Sequence, residues 1–195
     1  MAVNLSKGGK ISLSKAAADA GIQTLDKIVV GLGWDANAFD GGSEFDLDAS
    51  VFLCGASGKV EKDSNFVFYN NTKAPGVQHM GDNRTGDGDG DDEVVNVQLS
   101  AVESDVEKIA FSVTIFEADT RKQNFGQVQN SYIHILDAAS GTELVRYDLG
   151  EDFSIETAIV VGELYRHNGE WKFNAIGSGF AGGLEALCKN YGLSV

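Results

Sequence analysis

The chain has 195 residues, 29 acidic against 15 basic, a formal charge of −14 and 43% hydrophobic residues. That length fits one domain with its own core, and the hydrophobic share argues against disorder despite the acidity. A charge of this sign repels phosphate backbones and anionic membrane surfaces; it excludes a general nucleic-acid role and favours cations or basic protein faces.

Met1 to Lys10 contains no apolar signal region, and no apolar run approaches the ~20 residues a membrane span needs. The sequence therefore reads as a cytoplasmic protein with no direct membrane insertion. Cys54 and Cys188 are too few for a disulfide framework or a structural zinc site.

Short runs rich in β-branched and aromatic residues, bounded by Gly, Asn, Asp or Ser, predict nine strands. In chain order they are 27–33, 45–54, 65–69, 94–99, 108–116, 132–136, 143–149, 157–165 and 170–176. Ala138–Gly141 and His167–Gly169 read as hairpin connections. One helix is expected, from about Gly183 to Tyr191, with Leu184, Leu187 and Cys188 on one face. Nine strands and one late helix predict an all-β fold, an antiparallel β-sandwich with a short C-terminal helix, as a single domain over 1–195.

The charge is uneven along this frame. Residues 28–58 hold Asp35, Asp40, Glu44, Asp46 and Asp48 with no base, and residues 82–93 hold six acids against Arg84 alone. The second window lies within GDNRTGDGDGDDE, Gly81–Glu93. Alternating Asp and Gly offers carboxylates together with backbone that can turn carbonyls inward, which suits hard cations with 6–8 oxygen ligands. Without an ion, each close carboxylate pair costs about 1–4 kcal/mol at effective dielectrics of 80 to 20. The string is no EF-hand: a loop begun at Asp87 puts Asp92 where glycine is required and Gln98 where the bidentate glutamate belongs.

In the first window Phe45, Leu47, Ala49, Val51 and Leu53 alternate onto a core face. Asp46 and Asp48 are then expected to share the opposite face, about 7 Å apart, where they serve one ion or two neighbours or, in the plainer reading, simply face solvent. The eight carboxylates Asp46, Asp48, Asp82, Asp87, Asp89, Asp91, Asp92 and Glu93 exceed the needs of one divalent ion. With carbonyls of Leu47, Thr85 or Gly88 they match two Ca2+ ions. Magnesium prefers fewer carboxylates and keeps its waters; zinc and copper lack soft or imidazole ligands here.

Other signals are weaker. GSGFAG at Gly177–Gly182 matches a dinucleotide fingerprint, yet the chain ends thirteen residues later, so a tight strand-to-helix turn is expected. His79, His134 and His167 form no local cluster and are read as structural, and Cys188, Trp34, Trp171, Phe173 and Phe180 as core or rim residues. Catalytic and cofactor-binding residues are therefore expected to be none.

The segments VNLSKGGKISLSK, VGLGWD, FDLDASVF, FYNN, GDNRTGDGDGDDE, RKQNFGQV, RYDL and GELYRHNGEWKFNAIGSGFAGGL, in this order, resemble the TerD family of tellurium-resistance and stress-response proteins. The resemblance spans nearly the whole chain; only Ala16–Asp26 looks a few residues longer than usual. It implies a non-catalytic sandwich with two calcium ions, liganded from Asp46, Asp48, Asp82, Thr85, Asp87, Asp89, Asp91, Asp92 and Glu93. It also implies resistance to tellurite, phage and colicins, through a complex with other Ter proteins (TerB, TerC, TerE-like paralogues) at the inner face of the inner membrane. The residues alone leave three rivals open. These are a metal-dependent phosphoester hydrolase, a calcium-dependent lipid-binding sandwich, and thiol chemistry on tellurite.

Overall fold

The computed structural model describes residues 2–36, 45–81, 90–150 and 153–194. Two sheets pack face to face. The first contains β1 (Val3–Leu5), β3 (Lys27–Ala36), β6 (Lys73–Ala74), β7 (Val77–His79), β8 (Glu93–Gln98), β10 (Val128–Asp137) and β11 (Glu143–Asp148), in the order β1-β11-β10-β3-β8-β7-β6. The second contains β2 (Lys10–Ser12), β4 (Leu47–Cys54), β5 (Phe66–Val67), β9 (Lys108–Ile115), β12 (Ala158–His167) and β13 (Glu170–Phe180), in the order β2-β13-β12-β9-β4-β5. Between them lies the main core, with Val30, Leu32, Val51, Leu53, Phe111, Ile133, Ile135, Tyr147, Leu164 and Phe173 all buried.

The sandwich agrees with the sequence reading, with instructive differences. Among the described residues there are thirteen strands rather than nine. The four unforeseen ones, β1, β2, β6 and β7, have two or three residues each, too few to display a period. One pairing is parallel: Val3, Asn4 and Leu5 lie beside Val145, Arg146 and Tyr147, so the sandwich is not wholly antiparallel. The segment near Ala16 contains an unforeseen helix, α1 (Leu13–Asp19). Its signals were local: Ser12 accepts from the Lys15 N–H at 3.2 Å as N-cap, and Leu13, Ala16 and Ala17 share a buried side. A further single turn, α2 (Ala118–Arg121), follows β9.

The C-terminal helix α3 (Gly183–Asn190) forms where expected, and it overturns one expectation about β4. Every residue of that strand is buried, on both faces. The face away from the main core is covered by Leu187 and Cys188 of α3, which form a second cluster with Phe52, Cys54, Val60, Ala110, Ala158 and Val160. Asp48, placed on a solvent face by the alternation, is therefore only 8% exposed. Alternation along one strand assigns two faces but cannot reveal a helix arriving from 130 residues away.

Turns follow their chemistry. Asn168 and Gly169, φ 53° and 78°, join β12 to β13 as a two-residue turn with both central residues left-handed. GSGFAG closes β13 and starts α3, with no nucleotide-type crossover. Gly182 at its N-cap has no side chain, so Thr157 Oγ1 accepts from the N–H groups of Gly182 (3.2 Å) and Gly183 (2.9 Å) instead.

The second cluster is held by Phe52, fully buried and stacked between Phe66 (centroids 4.8 Å) and Tyr191 (4.4 Å). Phe52→Ala is expected to destabilise the protein by about 3–5 kcal/mol in urea or thermal unfolding. A loss below about 1 kcal/mol would show that α3 is not fixed through this ring.

Candidate metal site

The described parts of the two acidic windows lie at one end of the sandwich. In the β3–β8 ladder Leu32 lies opposite Glu93, so β8 starts where β3 finishes. Val128, the first residue of β10, faces Ala36 at that same end. The second sheet reaches it through the Phe125 N–H, which donates to the Glu156 carbonyl at 2.8 Å just before β12. The start of β12 then faces Thr114, and Thr114 faces Asp48. Spacing alone could not join the windows; strand register does.

The acidic string is the connection of the β7–β8 hairpin. Its neck is closed by backbone, the Met80 N–H donating to the Val94 carbonyl at 2.9 Å, and by a buried side-chain pair. His79 Nε2 and Glu93 Oε2 approach to 2.9 Å with both side chains buried, although not along a hydrogen-bond line. Because His79 Nδ1 accepts from the Gly81 N–H at 3.2 Å, the hydrogen of the neutral ring sits on Nε2, facing Glu93.

Three consecutive acids then diverge. Asp91 lies over the outer face of the first sheet. Its Oδ1 accepts from the Tyr132 hydroxyl at 3.0 Å, and its Oδ2 lies 2.9 Å from His134 Nε2. Asp92 lies along β3: its N–H donates to the Leu32 carbonyl at 2.9 Å, and its Oδ2 accepts from the Trp34 N–H at 2.8 Å. Glu93 faces inward. Beside them Asp35 accepts from Asn130 Nδ2 at 2.6 Å, and Asn130 itself sits at φ 52° in a bulge of β10.

The histidines stay apart from one another, and two of them face carboxylates of the acidic string, His134 facing Asp91 and His79 facing Glu93. His134 also reaches Glu143, Nδ1 to Oε2 at 2.7 Å. Neither Tyr132, His134 nor Glu143 was among the candidate residues. A signal for them was present in VGLGWD. A Cβ on Gly31 would meet Asp91 Oδ2 at 2.1 Å and His134 Nε2 at 2.3 Å, and one on Gly33 would meet the Tyr132 ring at 2.4 Å. Alternating glycines inside a strand mark close approach, and here they make room for a carboxylate and two rings.

In the first window Asp46 continues the β4–β9 ladder, its carbonyl accepting from the Phe116 N–H at 2.8 Å. Antiparallel bonding alternates, so the Leu47 carbonyl points away from β9. Asp48 lines a cavity of about 390 Å³ with Thr114, Phe116, Glu117, Asp119 and Thr157. The remaining candidate ligands, Asp82, Thr85, Asp87, Gly88 and Asp89, lie outside the described residues. Among the described residues no three His, Cys, Asp or Glu side chains group to hold a metal ion. The donors that are described are nonetheless hard oxygens, and a carboxylate has about four acceptor positions, so those already bonded retain capacity. That donor chemistry fits Ca2+.

Burial pushes the Asp92 carboxyl up, and the charges of Asp35, Glu93 and Asp91 add to this against the Trp34 hydrogen bond. For His134, burial is the largest influence and opposes charge, but the hydrogen bonds to Asp91 and Glu143 outweigh it and raise its pKa. The Tyr132 phenol is raised too, by burial and by its bond to Asp91, and stays protonated. Both thiols are buried; burial takes Cys54 up to about 12 and raises Cys188, which removes the reactive thiolate that chemistry on tellurite would use.

A family model described as the TerD domain matches residues 1–191. The chain belongs to the TerD domain family. It is 56% identical over 196 residues to the tellurium resistance protein TerD of Serratia marcescens, covering 100% of this chain and 99% of that one. General stress protein 16U of Bacillus subtilis (strain 168) is 54% identical over 197 residues, covering 100% of both. The fold of this TerD-domain chain matches the solved structure of a homologue of telluride resistance protein from Streptomyces coelicolor A3(2). The TM-score is 0.66 at 23% identity, over 83% of this chain and 94% of that one. None of the helices described here is long and apolar enough to cross a membrane.

The raised Asp92 carboxyl has a testable sign. Its folded-state pKa lies above the unfolded one, so its contribution is present below the unfolded value and is lost as pH rises through the folded value. Asp92→Asn keeps an oxygen for the Trp34 N–H. In EDTA it is expected to melt above the parent at pH 7 and level with it near pH ~3, where the parent carboxyl is also neutral. A variant that melts lower at pH 7 would contradict this electrostatic account.

Proposed function

We propose that this chain is a non-catalytic, calcium-binding stress-response protein that contributes to resistance to tellurite and other chemical damage, and to phage and colicins. The relatives named for tellurium resistance and general stress support the physiological part of this reading. A relative in Clostridium acetobutylicum, 59% identical over 138 residues, is named chemical-damaging agent resistance protein B. The observation that carries the calcium part is the convergence of both acidic windows on one end of the sandwich, with oxygen donors and a buried carboxyl resisting its own charge.

Two Ca2+ ions would be held by ligands drawn from Asp46, Asp48, Asp92 and Glu93, the carbonyl of Leu47, and Asp82, Thr85, Asp87, Gly88 and Asp89 of the hairpin connection. A bound cation would replace repulsion among these groups by attraction. It would fix the hairpin end as a docking face. We assign that face to other Ter proteins, the helical TerB, the membrane protein TerC and TerE-like paralogues, at the inner face of the inner membrane. The protein's own role there is to present an ion-dependent surface, which uses no catalytic group.

Calcium at 100 times its Kd is expected to stabilise the protein by about 2.7 kcal/mol, a rise of about 5–10 °C in Tm. Thermal melts in millimolar calcium and in EDTA measure this directly. Identical midpoints would end the calcium reading, and turnover of a phosphoester abolished by Asp92→Asn would end the non-catalytic one.

A further inference from the structure

Asp91 differs from its neighbours in being tied on both oxygens, to groups carried by a different strand. The tie is built across three strands. Gly33 faces Tyr132 and Gly31 faces His134 in the β3–β10 ladder, while Val94 of β8 faces Gly31 from the other side. Asp91, three residues before Val94, lies across the bare backbone of Gly31 to reach both rings. The rings are themselves secured. His134 Nδ1 meets Glu143 at 2.7 Å, which turns Nε2 towards Asp91. The Arg146 guanidinium lies 3.9 Å over the Tyr132 ring and its Nε donates to Asp148 at 2.9 Å. Asp91 and His134 are mostly shielded from water, at 19% and 12% side-chain exposure. A carboxylate held in this way is fixed before any ion arrives.

We propose that Asp91 is the anchor of the acidic hairpin rather than one of its calcium ligands, and that Tyr132 and His134 are positioning residues for cation binding that act through it. The tie fixes one end of the GDNRTGDGDGDDE string against the sheet. Calcium binding then starts from a string whose Asp91 end is already in place. Holding ligand-bearing chain by partners that never touch the metal is a general device, and removing such partners costs about 10–100-fold in metal affinity. The glycines at 31 and 33 are part of it, because any side chain there occupies the place of Asp91 or Tyr132.

This inference rests on the calcium reading, so its test has one readout that needs calcium and one that does not. The variants are His134→Ala, His134→Gln, Tyr132→Phe, Gly31→Ala and Asp91→Asn, with the Asp91→Asn/His134→Ala double. In EDTA, amide exchange over residues 90–94 is expected to quicken in His134→Ala and Gly31→Ala. His134→Gln, which retains a donor, is expected to restore part of the protection. In calcium titrations, His134→Ala, Gly31→Ala and Asp91→Asn should each weaken affinity about tenfold while still taking up two ions. The double variant should be no weaker than the single ones, within about twofold, because both act through one contact. Tyr132→Phe, the mildest change, should weaken binding in the same direction if His134→Ala proves too unstable to purify. Loss of one ion in Asp91→Asn would make Asp91 a ligand and overturn the proposal. So would exchange and affinity in His134→Ala equal to the parent. If the parent protein takes up no calcium, the function reading falls by itself, and the exchange measurement still decides whether the tie exists.

Discussion

Mutual repulsion of carboxylates at one end of the sandwich is the constraint around which the rest is arranged. Asp35, Asp91, Asp92 and Glu93 all lie where β3 ends and β8 begins, close enough for the other three to raise the Asp92 carboxyl. The protein meets this repulsion mainly with neutral donors. The Trp34 N–H serves Asp92, Tyr132 serves Asp91, and Asn130 serves Asp35. Neutral donors fix a carboxylate in place without cancelling its charge. Lys and Arg partners would neutralise the site; the Arg146 guanidinium over the Tyr132 ring is instead paired with Asp148. Among the described residues two imidazoles also face these carboxylates, His134 at Asp91 and His79 at Glu93. The described carboxylates there are held in place and keep their negative charge, as the proposed cation site requires.

The scaffold earns that rigidity by burying β4 on both sides. The main core takes Leu47, Ala49, Val51 and Leu53, and the α3 cluster takes Phe52 and Cys54. A strand held so is a fixed platform for Asp46 and Asp48 at its start. The same helix begins at Gly182 beside Thr157, so the α3 end, the β12 start and Asp48 share the walls of one cavity. Asp48, only 8% exposed, lines that cavity together with Glu117, Asp119 and Glu185.

Much of the fold was legible in the sequence because long strands display their period. The stretches around β4, β9, β12 and β13 were located within a few residues, as were α3 and the Asn168–Gly169 turn. What escaped was short or covered from afar. Strands of two or three residues such as β6 carry no alternation, and α1 hid in an alanine run whose Ser12 cap was the readable clue. The solvent face assigned to Asp48 failed because α3 is distant in sequence. The candidate site was half legible: clustered charge announced the acidic windows, and strand register joined them. Tyr132, His134 and Glu143 were not found because polar residues spaced along one or two strands look like any outward face. The pair Gly31 and Gly33 was the clue, a strand interior giving up side chains so that others could cross it.

Much of the formal charge of −14 comes from the two acidic windows of the sequence. Counted with the two calcium ions proposed above it becomes −10, and on that proposal the acidic string is a binding site rather than a solvated face. Calorimetric titration of the chelator-treated protein with calcium tests that claim most directly. The account predicts saturation at two ions per chain, with a smaller stoichiometry once Asp46 and Asp48 are both changed to Asn. Heat no different from dilution, with saturable binding absent up to millimolar calcium, would contradict it.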